Sequence, residues 1–223
     1  MADIYGTIFE QMLWSQKDLN DEITPDWMAT LSKQDYLTAV LVEVGEAIDS
    51  LDYKWWKAGK NDWDNFKVEL VDVHHFLLSA LWYDNEVQRA DACYFFKKGL
   101  AYRVIPSNGL TDEKKLDLIK EYSLKLMKVD NVTAFMYLGR LFRVIGLVSL
   151  KEIAREFLVK NTLNLFRTRN GYKQGTYKKM WKGKEDNVIA YALASDLKFT
   201  KFFTKDLYKK LEDYYNENVR DSF

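Results

Sequence analysis

Cysteine is almost absent from this chain of 223 residues, in which Cys93 is the single example. One thiol cannot form an intrachain disulfide, which favours a protein of a reducing, intracellular compartment. The N-terminal stretch MADIYGTIFEQM has no basic segment followed by a long apolar run, so no secretory signal is expected. No run approaches the roughly 18 uninterrupted apolar residues of a membrane helix. We therefore expect a soluble, cytoplasmic protein without a membrane partner.

Helix breakers and an excess of charge are also lacking. The chain has only two prolines, Pro25 and Pro106, and ten glycines. Because proline interrupts helices, its scarcity favours an all-α fold. The 33 basic and 33 acidic residues cancel, so the chain as a whole has no bias toward nucleic acid. With no internal repeat or linker in view, we expect one domain over residues 1–223.

Apolar residues at helical spacing predict most of the secondary structure. Helices are predicted near 3–20, from a Ser32–Asp35 capping box to about Gly59, from a cap at Asn61 or Asp62 to about Tyr83, near 86–100, 112–128 and 131–146, and from a Ser149–Glu152 capping box to about Phe166. An irregular link is expected around Pro106–Gly109 and a loop over 168–185, which has three glycines and no regular apolar period. One or two further helices should complete the chain.

The second and third predicted helices each carry two acids three residues apart, Glu43 with Glu46 and Glu69 with Asp72. Residues at this spacing are neighbours on a helix surface, and two helices joined by a short link pack side by side. The acids alternate with apolar residues, and buried carboxylates repel one another unless a cation neutralises them. Ligands that are all oxygen favour Mg²⁺ or Mn²⁺.

These acids also have other interpretations. A single E-x-x-E pair is usually a solvated helix face, but two pairs on adjacent apolar helices are more specific. A di-iron bundle needs Glu-x-x-His on each of two helices, and this sequence does not supply it. The only histidines are His74 and His75, and a lone histidine is more often packed than a ligand.

A basic stretch without acids runs from Phe157 to Lys184. Its cations are Lys160, Arg167, Arg169, Lys173, Lys178, Lys179, Lys182 and Lys184. Together with a carboxylate metal site, it is interpreted as a segment that closes on a metal-bound polyphosphate. A solvated basic loop, or a surface for single-stranded nucleic acid using Tyr172, Tyr177 and Trp181, remain alternatives.

The two carboxylate pairs together resemble the metal signature of the all-α nucleoside triphosphate pyrophosphohydrolase superfamily, which includes the MazG-type enzymes. Three segments narrow the resemblance to the dimeric, all-α dUTPases: QKDLN (Gln16–Asn20), DYKWWK (Asp52–Lys57) and KNTLNLFRTRNGYKQGTYKKMWKGKEDN (Lys160–Asn187). The resemblance extends from about Tyr5 to the C-terminus and is weakest over residues 85–150.

This resemblance implies a homodimer of helical bundles. A rigid core would contain the carboxylate helices near 33–83 and the phosphate-binding segment 149–187, and a smaller mobile helical part would lie within about 85–150. The implied reaction is hydrolysis of dUTP, and also of dUDP, to dUMP, with water attacking the β-phosphorus of dUTP. No nucleic-acid partner is expected.

The resemblance also implies roles for particular residues. Glu43, Glu46, Glu69 and Asp72 would be the catalytic acids that hold Mg²⁺, for which Mn²⁺ could substitute, and Glu43 would be the base. The substrate contacts would come from Gln16 and Asn20 on the deoxyuridine, Trp56 and His75 lining its pocket, Asn164 on the base or sugar, and Lys160, Arg167, Tyr172 and Lys179 on the phosphates. Lys57 and Lys173 are additional candidates.

Two alternatives stay open at this point. A related pyrophosphohydrolase for dCTP or a damaged triphosphate would keep the same carboxylates and change the base pocket. An inert helical bundle that binds other proteins or nucleic acid would show no Mg²⁺ dependence, and its binding through residues 160–184 would weaken with salt.

Overall fold

A computed structural model describes residues 4–102 and 110–220, and within these ranges the protein is all-α, as predicted. The predicted link at Pro106–Gly109 lies outside the described residues. The helices are α1 (Ile4–Ile23), α2 (Trp27–Thr30), α3 (Lys33–Asp49), α4 (Trp63–Leu81), α5 (Glu86–Leu100), α6 (Asp112–Leu126), α7 (Asn131–Val144), α8 (Leu150–Arg169), α9 (Asp186–Ser195) and α10 (Phe203–Tyr215). A π-helical turn (Asn216–Arg220) follows α10. None of the described helices combines the length and apolar character needed to cross a membrane.

Capping side chains fix where the helices of the site begin. At α3, the Ser32 hydroxyl accepts from the Asp35 amide, and the Asp35 carboxylate accepts from the Ser32 amide. Asp62 accepts from the Asn65 amide at the start of α4. Ser149 and Glu152 form a second capping box at α8. Such caps satisfy amides that lack partners inside the helix, and both predicted capping boxes are confirmed.

Helix α3, the second helix that the sequence predicts, ends earlier than expected, at Asp49 and not near Gly59. The Ser50 carbonyl accepts from the Asp62 amide at 2.8 Å, and the Asn61 side chain accepts from the Asp52 amide at 2.9 Å. Asn65 also donates to the Ser50 hydroxyl at 2.7 Å. Because short polar side chains offer the backbone these partners, the chain leaves the helix and returns directly into α4.

The helices form two groups around a continuous apolar core. Helix α4 packs against α1, α3 and α8, and α10 lies against α8. Helices α5, α6 and α7 form the second group, which meets the first chiefly through α7 and α4. Helices α5 and α7 approach so closely that a Cβ atom on Gly99 would lie 2.1 Å from the Met136 carbonyl oxygen. Glycine at this crossing is therefore a packing requirement.

The loop predicted over residues 168–185 is confirmed apart from its first two residues, which end α8, and a short hairpin. Strands β1 (Met180–Trp181) and β2 (Lys184–Glu185) pair antiparallel across Lys182 and Gly183, both of which have positive φ. Two such residues in a row match the twist of a hairpin. Trp181 is fully buried against Phe166. Strands of two residues are too short for an alternating pattern, so the sequence could not predict them.

Candidate active site

Three of the four predicted acids meet between α3 and α4. Glu43, Glu69 and Asp72 each place a carboxylate oxygen within 4.8 Å of the others. All three side chains are partly buried, whereas Glu46 is exposed and lies outside this group. A compact set of oxygen ligands is what Mg²⁺ or Mn²⁺ prefers, so these residues could hold a divalent cation.

The carboxylates also show the electrostatic cost of their proximity. Burial raises the pKa of Glu43 to about 8, and the negative charges of Asp72, Glu46 and Glu69 add to the rise. Burial and the neighbouring Asp72 raise the pKa of Glu69 as well. Both glutamates are thus easier to protonate than in water, which is the expected effect of desolvation and like charge. A bound cation would relieve this repulsion.

Lys160 brings a positive charge from α8 into the same site. Its side chain is buried, and its Nζ lies 2.8 Å from Asp72 Oδ2. The ammonium group lowers the pKa of Glu43 against the effects that raise it. A buried lysine is tolerated only with such a partner, so Lys160 and Asp72 balance each other's charge.

His75 lies beside Asp72 on α4 and is fixed by two contacts. Its Nδ1 donates to the Val71 carbonyl at 2.7 Å, and its ring stacks on Phe157 at 4.2 Å between centroids. A carbonyl only accepts, so Nδ1 carries the proton and Nε2 is the acceptor. Burial lowers the pKa of His75 to about 4. The imidazole is therefore neutral at physiological pH.

A cavity of about 520 Å³ adjoins the carboxylates and is walled by α1, α4 and α8. Its volume suits a ligand of nucleotide size. Most of the predicted substrate residues line it together with two of the acids: Gln16, Asn20, Glu43, Asp72, His75, Lys160, Asn164, Arg167, Tyr172 and Lys173. The structure thus brings the amides, the cations and the carboxylates to one place.

Gln16 and Asn20 form one wall of this cavity and are joined by hydrogen bonds. Gln16 Nε2 donates to Asn20 Oδ1 at 2.9 Å, and Asn20 Nδ2 donates to Ser79 Oγ at 2.9 Å. Asn161 Nδ2 reaches Gln16 Oε1 at 3.4 Å. Ser79 and Asn161 were not predicted as site residues. Asn161 adjoins Lys160 in the distinctive basic segment, whereas Ser79 carries no comparable signal.

Arg167 lines the cavity but is already bound within the protein. Its Nε and Nη2 form a bidentate ion pair with the fully buried Asp186, at 2.8 and 2.7 Å. The Tyr177 hydroxyl donates to the same carboxylate at 2.8 Å, and Arg167 Nη1 donates to Asn164 Oδ1 at 3.1 Å. The arginine therefore joins the end of α8 to the start of α9 and orients Asn164.

Two predicted substrate residues are not among the described residues that line the cavity. Trp56 lies on the loop between α3 and α4, is 59% exposed, and contacts Trp55 edge-on. Lys179 is exposed, with its Nζ 5.3 Å from the centroid of the Tyr172 ring. Lys57 is exposed on the same loop as Trp56, whereas Lys173 lines the cavity and donates to the Ile23 carbonyl at 2.9 Å.

Comparison with known protein families gives a match that covers most of the chain. A family model described as dUTPase matches residues 8–172, which is most of the chain. The matched range contains both carboxylate pairs and every residue that lines the cavity except Lys173. No curated protein matches the chain.

Proposed function

The chain belongs to the all-α dUTPase family and is a dUTP diphosphatase, and we propose that it performs this hydrolysis in the cavity between α1, α4 and α8. The observation that carries the proposal is the single cavity that joins Glu43 and Asp72 to the amides of Gln16 and Asn20. The proposed substrates are dUTP and dUDP, and the product is dUMP. The reaction keeps uracil out of DNA and supplies dUMP.

For the metal, we propose Mg²⁺, with Mn²⁺ as a substitute, held by Glu43, Glu69 and Asp72. Glu46 would act from the rim of the group. When bound, the cation would offset the negative charge of the polyphosphate at the reacting phosphorus. Glu43 is proposed as the base, because its carboxylate belongs to the group that would hold the cation and also lines the cavity.

The substrate is proposed to lie with its base against Gln16 and Asn20 and its phosphates toward the carboxylates. Lys160 is placed to share its charge between Asp72 and a phosphate oxygen, since its Nζ faces the site. Asn164, held by Arg167, would contact the sugar or base. The apolar face of His75 would line the base pocket, and Tyr172 would flank the phosphates. Contacts from Trp56 and Lys179 stay predictions.

A homodimer in the cytoplasm is proposed for the assembled enzyme. Support comes from apolar side chains left in water on the carboxylate helix, Leu41 and Val42, which are 55% and 51% exposed. Trp55 on the adjoining loop is 90% exposed. Light scattering on the purified protein is expected to give twice the chain mass of 26.3 kDa.

The reaction is tested by pyrophosphate release with Mg²⁺ and separate dUTP, dTTP, dCTP, dATP, dGTP and UTP. We expect hydrolysis of dUTP alone, lost on adding EDTA. Glu43→Gln should keep the fold and nucleotide binding while turnover falls by roughly 100-fold or more. Glu113→Gln, an exposed acid on α6, is the matched control and should leave turnover unchanged.

Each contrary result is informative. Hydrolysis of another triphosphate would leave the proposed metal site in place and overturn the assignment of uracil as the nucleobase that the cavity selects. Absence of turnover on every nucleotide would favour an inert bundle, and near-normal turnover of Glu43→Gln would remove Glu43 from the mechanism.

A further inference from the structure

Ser79 and Asn161 lie at the two ends of a chain of hydrogen bonds that runs through the predicted base-binding amides. Asn161 donates to Gln16, Gln16 donates to Asn20, and Asn20 donates to Ser79. Ser79 Oγ then donates to the His75 carbonyl at 3.0 Å. All four side chains are buried. This series of hydrogen bonds connects α8, α1 and α4 across the back of the cavity.

The direction of this chain is fixed from both ends. The His75 carbonyl only accepts, so the Ser79 hydroxyl must donate to it and offer a lone pair to Asn20. At the other end, the Asn161 amide donates to the carbonyl of Ser15 at 3.3 Å as well as to Gln16. Two backbone acceptors therefore define which end of each side-chain amide is oxygen and which is nitrogen.

The orientation of an amide decides which pyrimidine it can bind. Uracil presents an N3–H donor beside the O4 acceptor, whereas cytosine presents an N3 acceptor beside the N4 amino donor. An amide rotated by 180° exchanges donor and acceptor and would suit the wrong base. A mismatch leaves buried polar groups unpaired, so the mismatched base binds more weakly.

We propose that Ser79 and Asn161 are positioning residues that determine base specificity. By holding the Gln16 and Asn20 amides in one orientation, they make the cavity accept a 4-oxo pyrimidine and reject a 4-amino pyrimidine. This inference rests on the proposed function, in which Gln16 and Asn20 contact the base. Neither Ser79 nor Asn161 needs to contact the substrate.

The variants Ser79→Ala and Asn161→Ala test the proposal from the two ends of the series of hydrogen bonds. The measurement is kcat/KM for dUTP, dCTP and dTTP with Mg²⁺. We expect the preference for dUTP over dCTP to fall at least tenfold in each variant, mainly through KM. Rejection of dTTP should persist, because its methyl group is excluded by shape and not by amide orientation.

Two further variants serve as controls. Ser79→Thr keeps the hydroxyl and should retain the wild-type preference. Thr162→Val removes a buried hydroxyl of α8 that donates only within its own helix, to the Leu158 carbonyl, and should also retain it. A parallel rise in dCTP and dTTP hydrolysis would indicate a loosened cavity and overturn the proposal.

The remaining outcomes separate this inference from the function on which it rests. An unchanged dUTP preference in both alanine variants overturns the inference alone. Failure of both variants to fold would make the hydrogen bonds structural and overturn it as well. A wild-type enzyme without preference for dUTP would overturn the proposed function itself.

Discussion

Two adjacent histidines on α4 lie in opposite surroundings. His75 faces the cavity, whereas His74 is fully buried among the rings of Phe96, Phe135, Phe142 and Phe157. No described residue forms a hydrogen bond with either ring nitrogen of His74. Burial accordingly holds the pKa of His74 well below its usual 6.5. This histidine belongs to the core, where it adds a polar group that no other described residue pairs with.

His74→Leu is expected to raise the melting temperature, and more at pH 5 than at pH 8. In the wild type, the unfolded chain protonates His74 as the pH falls below 6.5, but the folded protein does not. The part of the unfolding free energy that depends on a neutral His74 is therefore fully present above pH 6.5 and decreases as the pH falls below it. Leucine removes both this loss and the unpaired nitrogens. Thermal unfolding at the two pH values checks the prediction, and an equal change at both would contradict its electrostatic part.

Single residues also mark how far the sequence could predict the site. Segments with a family resemblance predict Gln16, Asn20 and Lys160 as site residues, and the structure brings them to one cavity. Ser79 and Asn161 could not be found in this way, because their importance depends on how three helices pack. The sequence predicts Arg167 as a phosphate ligand. It does not reveal that Arg167 forms an ion pair with Asp186, because this contact depends on how α8 and α9 pack.

At the scale of the element, spacing predicted the carboxylate helices well. Both pairs lie at i and i+3, but three acids converge and Glu46 turns toward solvent. The rotation of α3 about its axis decides which acids face α4, and spacing alone does not define it. The early end of α3 depends in the same way on hydrogen bonds to residues 61–65, which the sequence pattern does not reveal.

Metal binding between α3 and α4 is expected to release a proton near neutral pH. The pKa of Glu43 is about 8 without a cation, so this carboxyl is mostly protonated at pH 7. Because a cation binds the ionised form, about one proton should leave at pH 6.5 and almost none at pH 9.5. Calorimetry with Mg²⁺ or Mn²⁺ in buffers of different ionisation enthalpy measures this number.

Two variants identify the source of that proton. Glu43→Gln should sharply reduce the dependence of the measured heat on the buffer, whereas Glu46→Gln should retain it. A wild-type heat that is independent of the buffer at pH 6.5 would contradict the assignment.

At the scale of the whole molecule, the site lies in the helix group α1, α3, α4 and α8, and α5–α7 forms a second group. The sequence predicts a mobile part within about residues 85–150, and this stays a prediction. The structure shows that α5, α6 and α7 are ordinary packed helices, tied to α4 by α7. Glycines at the α5–α7 crossing hold this second group together.

Gly99→Ala is expected to lower the free energy of unfolding by about 1–3 kcal/mol, because the new methyl group would overlap the Met136 carbonyl. Gly45→Ala on α3 is the matched control, since no described atom outside its own helix backbone lies within 4 Å of the added Cβ. Alanine there should stabilise the helix by roughly 0.5–1 kcal/mol. Chemical denaturation measures both, and equal effects would contradict the packing argument.

The hydrogen bond between the Asp62 amide and the Ser50 carbonyl has a consequence for how the enzyme could change over evolution. It joins the two ends of the loop that carries Trp55 and Trp56. The alignment of α3 with α4 is therefore fixed at the base of the loop and does not depend on the residues within the loop. Residues inserted between 53 and 60 would lengthen only a loop whose two ends are already joined. The entropic cost of closing it would rise by about 0.6 kcal/mol for each doubling of its length. This loop can therefore diverge in length and sequence while the carboxylates keep their places.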